Sequence, residues 1–276
     1  MTLKSISAKL SIIRRFLSFW KSAKSIDSVD SLLLYNLSFI IKNSDGKSND
    51  IMRIEQRRQS LLKKRTIINR ESLGAPSTIY NRNEVGISQI AQSAVSPRYK
   101  CELLKNIVEW SESAKVLELG TSLAISTAYI STAANVKHID TVEGSKSISV
   151  VNEQDSHDDK IRFHTASFES FIDTQLNLGT KYDCIVLDGH HEYLPTVTYV
   201  SQCRHMLNPT GLIILDDIYW SQGMTKAWEE LKSNQDFNLC IDLFFYGILS
   251  MKPVVHEPID VKLWPFKTRW QLGLFR

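Results

Sequence analysis

Residues 115–130 read KVLELGTSLAISTAYI. Val116, Leu117 and Leu119 make the short apolar run of a strand buried on both faces. Gly120 supplies a tight turn behind it, and a helix is expected to begin near Thr121 or Ser122. A turn of this kind lets a ligand approach the backbone and meet free N–H donors at the helix start. Glu118 stands two residues before the glycine. Further along, Ile139-Asp-Thr-Val-Glu143-Gly144 reads as a second strand ending in a carboxylate. In a nucleotide-binding α/β unit, an acid about twenty residues beyond the turn accepts ribose hydroxyls.

The glycine spacing separates two classes of ligand. A dinucleotide site needs G-x-G-x-x-G, whose second glycine admits the pyrophosphate. This chain has Gly120-Thr121-Ser122-Leu123-Ala124, without that second glycine, and Glu118 would repel a pyrophosphate. An acid followed by G-x-x-x-small suits a ligand with a cationic amino-acid end and an adenosine end, which is S-adenosylmethionine. The expected cofactor contacts are Glu118, Gly120, Thr121, Ser122 and Ala124 at the first turn, Glu143 and Gly144 at the second strand exit, and Ser167 at the third.

From Val116 onward apolar strand runs alternate with helical stretches, as in a parallel sheet covered on both faces. Strands are expected at 115–119, 138–142, 161–164, 183–187 and 211–215. A close pair at 238–244 and 246–251 is too tightly joined for parallel pairing and must be antiparallel. The fold class expected is α/β, with a Rossmann-like sheet closing on that pair and a helical extension in front. The division is residues 1–88 as a basic helical extension with a covering loop at 71–87, 89–255 as the catalytic domain, and 256–276 as a tail.

Two strand exits carry the chemistry. Tyr182-Asp-Cys-Ile-Val-Leu-Asp188-Gly-His190-His191 runs out into a polar cluster, and Gly211-Leu-Ile-Ile-Leu-Asp216-Asp217 ends in paired acids. Ligands of open α/β sheets bind beyond the carboxyl ends of the strands, so both clusters face the crevice that Gly120 and Glu143 line. Three converging carboxylates repel unless a proton or cation intervenes. Asp188, Asp216 and Asp217 are therefore the expected ligands of Mg²⁺ or another hard divalent ion, which would bind a substrate hydroxyl and lower its pKa. Consecutive strand-end residues point to opposite sides, so one of His190 and His191 should face the cleft as base or ligand. Asp188, His190 and His191 are the catalytic candidates.

The stretches ELGTSLAISTAYI, TVEGS, LDGHHEYLPTVTY and ILDDIYWSQGMTKAWEEL together resemble a bacterial class I S-adenosylmethionine-dependent methyltransferase group of Bacteroidetes type. The layout around Asp188 and Asp216/Asp217 is similar to metal-dependent O-methyltransferases of the catechol and sugar-hydroxyl types, which implies metal ligation by Asp188 and Asp216. The chain departs from the group at Ala124, usually glycine, at His190, usually Asn or Asp, and at Thr165-Ala166-Ser167, usually Gly-Asp or similar. The function expected is methylation of a small hydroxyl acceptor (a sugar, a phenol or a glycan) with help from a divalent metal. The alternatives are a metal-independent O- or N-methyltransferase with a His or Asp base, and a non-catalytic binding protein that keeps the fold.

Composition sets the remaining bounds. No apolar run approaches the roughly 20 residues that span a bilayer, and two arginines split Ile12–Trp20, which makes it a poor signal peptide. Four cysteines, at 101, 184, 203 and 240, lack C-x-x-C spacing, so a reducing, cytoplasmic setting is expected without zinc or disulfides. The net charge is +3, but residues 1–75 hold 15 Lys/Arg against 6 Asp/Glu, and residues 1–25 hold no acid. With no aromatic-basic motif, this reads as a solvated helical extension rather than a nucleic-acid arm, with peripheral membrane contact as the other use.

Overall fold

The computed structural model describes residues 3–25, 32–43, 48–69, 84–155, 158–252 and 258–264. The extension comprises α1 (Leu3–Ser22), β1 (Lys24–Ser25), α2 (Leu32–Asn43), α3 (Asn49–Lys63), β2 (Ile67–Asn69), β3 (Glu84–Gly86) and α4 (Ile87–Ser93). Then come α5 (Arg98–Trp110), β4 (Lys115–Leu119), α6 (Ile125–Ser131), β5 (His138–Glu143), α7 (Lys146–Asp155), β6 (Ile161–Thr165) and α8 (Phe168–Asn177). The chain continues through β7 (Tyr182–Leu187), α9 (Tyr193–Cys203), β8 (Leu207–Asp216), α10 (Gln222–Lys232), β9 (Leu239–Asp242), β10 (Tyr246–Ser250) and β11 (Ile259–Trp264).

The main sheet runs β6-β5-β4-β7-β8-β10-β9-β11-β1. Its five strands from β6 to β8, in that order, form four parallel pairs, and β10 lies antiparallel to both β8 and β9. The expected parallel set and its closing antiparallel pair are both present. Central strands are buried on both faces because helices cover them: in β4 every residue after Lys115 is buried, Glu118 included. The edge strand β6 breaks that rule with exposed Arg162 and Thr165, which discourages further pairing.

Two local expectations change. The strongly basic stretch 55–69, whose pattern predicts a helix, is helical only to Lys63, in a helix that begins at Asn49. Ser48 caps its start by accepting from the Ile51 N–H at 3.3 Å. Beyond Lys64 the β-branched Thr66-Ile67-Ile68 prefer extended backbone, and β2 pairs with β3. Residues 259–264, read as part of a tail, form β11, which adds parallel to β9. Most of the covering loop read at 71–87 lies outside the described residues; its last residues form β3 and begin α4.

The described helices of the extension pack into two clusters, each shared with the α/β part of the chain. Phe16 and Phe19 of α1 are buried in the same cluster as the central strands. The Phe16 ring meets Phe244 at 5.1 Å and Trp264 at 5.9 Å, and Tyr219 stacks on Phe244 at 5.0 Å. Each such pair adds about 0.5–1.5 kcal/mol beyond its buried area. A second cluster joins Ile51, Ile54 and Leu61 of α3 to Leu123, Ile125 and Tyr129 around the turn after β4. Among the described residues, no helix is long and apolar enough to cross a membrane.

Candidate active site

The turn between β4 and α6 is held from below by strand ends. Gly120 has φ +115°, and a Cβ there would stand 1.9 Å from the Asp188 carbonyl oxygen. Only glycine fits, because the β4 and β7 backbones meet at this point, with the Asp188 N–H donating to the Leu119 carbonyl at 2.9 Å. The N–H groups of Gly120 and Thr121 donate to the Val142 carbonyl at 3.0 and 3.2 Å. Ser122 and Ala124 also take left-handed φ values, 47° and 51°. These two reversals delay the helix, so it starts at Ile125 and not at Thr121 or Ser122. A left-handed residue 124 also accounts for the glycine that the resembling group usually has there.

Glu118 is fully buried, and three hydroxyls donate to its carboxylate: Ser126 at 2.7 Å, Thr127 at 2.5 Å and Thr141 at 2.7 Å. Burial pushes its carboxyl above the usual range, although these hydrogen bonds oppose the shift. It ties β4, β5 and α6 together beneath the turn. Thr121 is buried with it, 2.7 Å from the Thr141 hydroxyl. Glu143, at the end of β5, is half-buried and accepts from the Ser122 N–H at 3.0 Å and the Ser145 N–H at 2.9 Å. Gly144 follows it at the strand exit, and Ser167 caps α8 by accepting from the Ser170 N–H at 3.2 Å.

Asp188, His191 and Asp216 converge at the ends of β7 and β8, with one potential ligand atom from each lying within 4.8 Å of the others. His191 Nε2 is 3.7 Å from Asp188 Oδ1. Its neighbour His190, at φ 55°, turns the other way and packs between Phe168 (5.5 Å) and Tyr199 (5.6 Å). Burial there lowers its pKa. Of the two histidines, His191 faces the acids. Burial pushes the Asp188 carboxyl up to about 6, against the pull of the Lys100 charge. Burial and the neighbouring acids push Asp216 well above its usual range.

Lys100, from the first turn of α5, supplies the counter-charge and was not among the expected residues. It is 5 % exposed. Its ammonium lies 2.7 Å from Asp216 Oδ1, 2.9 Å from Asp216 Oδ2 and 2.8 Å from Asp217 Oδ1. Burial disfavours its charge, but the three acids outweigh that and raise its pKa. Asp217, expected to point at a metal with the other two, gives its Oδ1 to Lys100, which lowers its pKa. One sequence signal existed: Lys100 shares the apolar stripe of Leu103, Leu104 and Ile107, where an unpaired lysine would be expelled. Arg57 of α3 was also missed. It donates to the carbonyls of Leu123 at 2.8 Å and Ala124 at 3.4 Å, so the extension grips the turn directly.

A methyltransferase-domain family model matches residues 117–218, from β4 to just beyond the paired acids. That stretch is thus similar to a methyltransferase domain, and the strand order is that of a Rossmann-like methyltransferase sheet. Among solved structures, this methyltransferase fold is similar to an O-methyltransferase from Bacillus cereus in complex with SAH, at 14 % identity and TM-score 0.52, covering 77 % of this chain and 95 % of that one. It is also similar to the SAH-bound Podospora anserina methyltransferase PaMTH1, at 14 % identity and TM-score 0.54, covering 78 % and 93 %. No curated protein sequence matches the chain.

Proposed function

We propose that this methyltransferase moves a methyl group from S-adenosylmethionine to a hydroxyl of a small acceptor, with His191 as base and Asp188 as its partner. The observation that carries the reading is the contact between donor and acceptor sites: the Gly120 turn rests on the backbone of Asp188 itself. A cofactor in that turn would have its sulfonium end beside the acid cluster. Gly120 lets the turn close directly against Asp188, Glu143 stands on the ribose side, and the backbone at Thr121, Ser122 and Ala124 borders the methionine side. Gly144 and Ser167 border the ribose and adenine ends. O-methyltransferase activity in the Bacillus cereus neighbour is in keeping with this choice of acceptor atom.

When bound, S-adenosylmethionine supplies a methyl on a sulfonium: the new O–CH₃ bond forms as the S–CH₃ bond breaks, and its electron pair stays on sulfur. The chain's own residues align the acceptor and take its proton. His191 Nε2 accepts the hydroxyl proton, and the Asp188 carboxylate 3.7 Å away stabilises the imidazolium that results. The acceptor oxygen is left with the lone pair that attacks.

The expected divalent ion fits these residues poorly. Asp188, His191 and Asp216 come close enough to share an ion, but Lys100 already engages both oxygens of Asp216 and one of Asp217. A hard cation seeking six oxygen ligands would stand beside an ammonium on the same carboxylate.

The test is transfer of labelled methyl from S-adenosylmethionine to a panel of phenols, sugars and lipid-linked glycans. Methylated oxygen in a wild-type product, reduced about a hundredfold or more by His191→Gln, supports the reading. Methylation confined to nitrogen acceptors, or unchanged in His191→Gln, contradicts it.

A further inference from the structure

We propose that Lys100 is the permanent cation of the acceptor site, standing where a divalent ion would otherwise be held, and that the chain works without binding one. This rests on the acid cluster being the acceptor site, as proposed above. Three independent features carry it. First, the ammonium bridges the paired acids: it donates to Asp216 Oδ2 at 2.9 Å and to Asp217 Oδ1 at 2.8 Å, and it lies 2.7 Å from Asp216 Oδ1 as an ion pair. Second, it is built in. Pro97 sets the start of α5, the Tyr246 hydroxyl donates to the Lys100 carbonyl at 3.2 Å, and the Tyr246 ring lies 5.4 Å from the ammonium. Third, among the described residues the ion pairs to Asp188, Asp216 and Asp217 come from Lys100 and His191, so Lys100 is the fixed charge that lets Asp216 and Asp217 coexist.

Lys100 lies in α5, ahead of the segment that the methyltransferase family model matches. Its consequence for the site is a division of labour. Asp216 and Asp217 are neutralised and fixed in place, whereas Asp188 and His191 are left to meet the acceptor. Lys100 is thus a positioning residue that acts through the paired acids.

The experiment titrates Mn²⁺ into the wild-type protein by electron paramagnetic resonance, with S-adenosylhomocysteine calorimetry on the same samples with and without EDTA. Lys100→Met, which keeps the length and apolar stem but removes the charge, is measured alongside. The proposal expects no wild-type Mn²⁺ site tighter than about 1 mM and cofactor affinity indifferent to EDTA. It expects Lys100→Met to gain one Mn²⁺ site at least about tenfold tighter than any in the wild type, with a Tm that rises when Mn²⁺ is added. One micromolar Mn²⁺ site in the wild type, abolished by Asp188→Asn, overturns it. A folded Lys100→Met that gains no site also overturns it. If that variant does not fold, the wild-type titration decides alone. Failure of the wild type to bind S-adenosylhomocysteine would count against the cofactor reading instead, and leaves the Mn²⁺ result standing on its own.

Discussion

Replacing Gly120 with alanine perturbs the site at a single backbone contact. The new methyl carbon would lie 1.9 Å from the Asp188 carbonyl oxygen and 2.7 Å from its carbonyl carbon. Ordinary contacts begin near 3.4 Å, so β4 and β7 must part by more than an ångström, and neither neighbour is a flexible side chain that can swing away. A left-handed φ of +115° adds backbone strain of about 1–3 kcal/mol for a residue with a Cβ. Forcing the methyl into closed packing adds about 1–3 kcal/mol more. The total, about 2–6 kcal/mol, corresponds to a Tm lower by roughly 4–12 °C for a chain of this size. The separation falls between the cofactor turn and Asp188, so S-adenosylhomocysteine affinity should fall at least tenfold. Differential scanning calorimetry and isothermal titration measure the two effects. A Gly120→Ala protein with wild-type Tm and wild-type affinity would refute the contact and the site built on it.

Arg57→Met removes two hydrogen bonds to the turn carbonyls of Leu123 and Ala124 but keeps an apolar stem; cofactor affinity should fall about tenfold, while Arg53→Met, at an arginine exposed on the same helix, leaves calorimetry unchanged. Tyr219→Phe strips a 2.7 Å hydrogen bond from the fully buried Asp242 carboxylate, and thermal denaturation should show a loss of about 1–3 kcal/mol. Asp140 governs the acid limb of stability. Burial opposes its charge, but the His164 hydrogen bond, the His138 charge and the Tyr182 hydroxyl together hold its carboxyl at about 2, below its ordinary 3.8. A depressed carboxyl pKa contributes stability that is whole above pH 4 and is lost as pH falls toward 2, here on the order of 2 kcal/mol. His164→Gln should therefore move the acid unfolding midpoint upward in circular dichroism, and an unmoved midpoint would remove Asp140 from this role.

The sheet was readable because its central strands are continuous apolar runs, each closed by glycine or acid, and because 238–251 leaves no room for a crossover. Residues 120–124 were harder: nothing in Thr-Ser-Leu-Ala announces two left-handed φ values, so the helix was read as starting too early. Adjacency predicts that the two histidines face opposite ways, but it does not say which one meets the acids. That depends on His190 turning through φ 55° to reach Phe168 and Tyr199. Asp188, Asp216 and Asp217 were recognised as acids at strand ends. Their counter-charge was not, because Lys100 is more than eighty residues away from them in sequence and a lysine in the first turn of a helix ordinarily points to water. Arg57 was hidden for a similar reason. It is one of several cations on α3, and the 123–124 carbonyls it reaches exist as acceptors only once the turn has formed.

Titration of the wild-type protein with S-adenosylhomocysteine, beside Glu143→Gln, tests the central claim most directly. The account predicts one site per chain with a Kd on the order of 1–100 µM, weakened about tenfold or more in the variant by loss of a charged acceptor at the end of β5. Absence of binding at millimolar cofactor, or equal binding by wild type and Glu143→Gln, would contradict it.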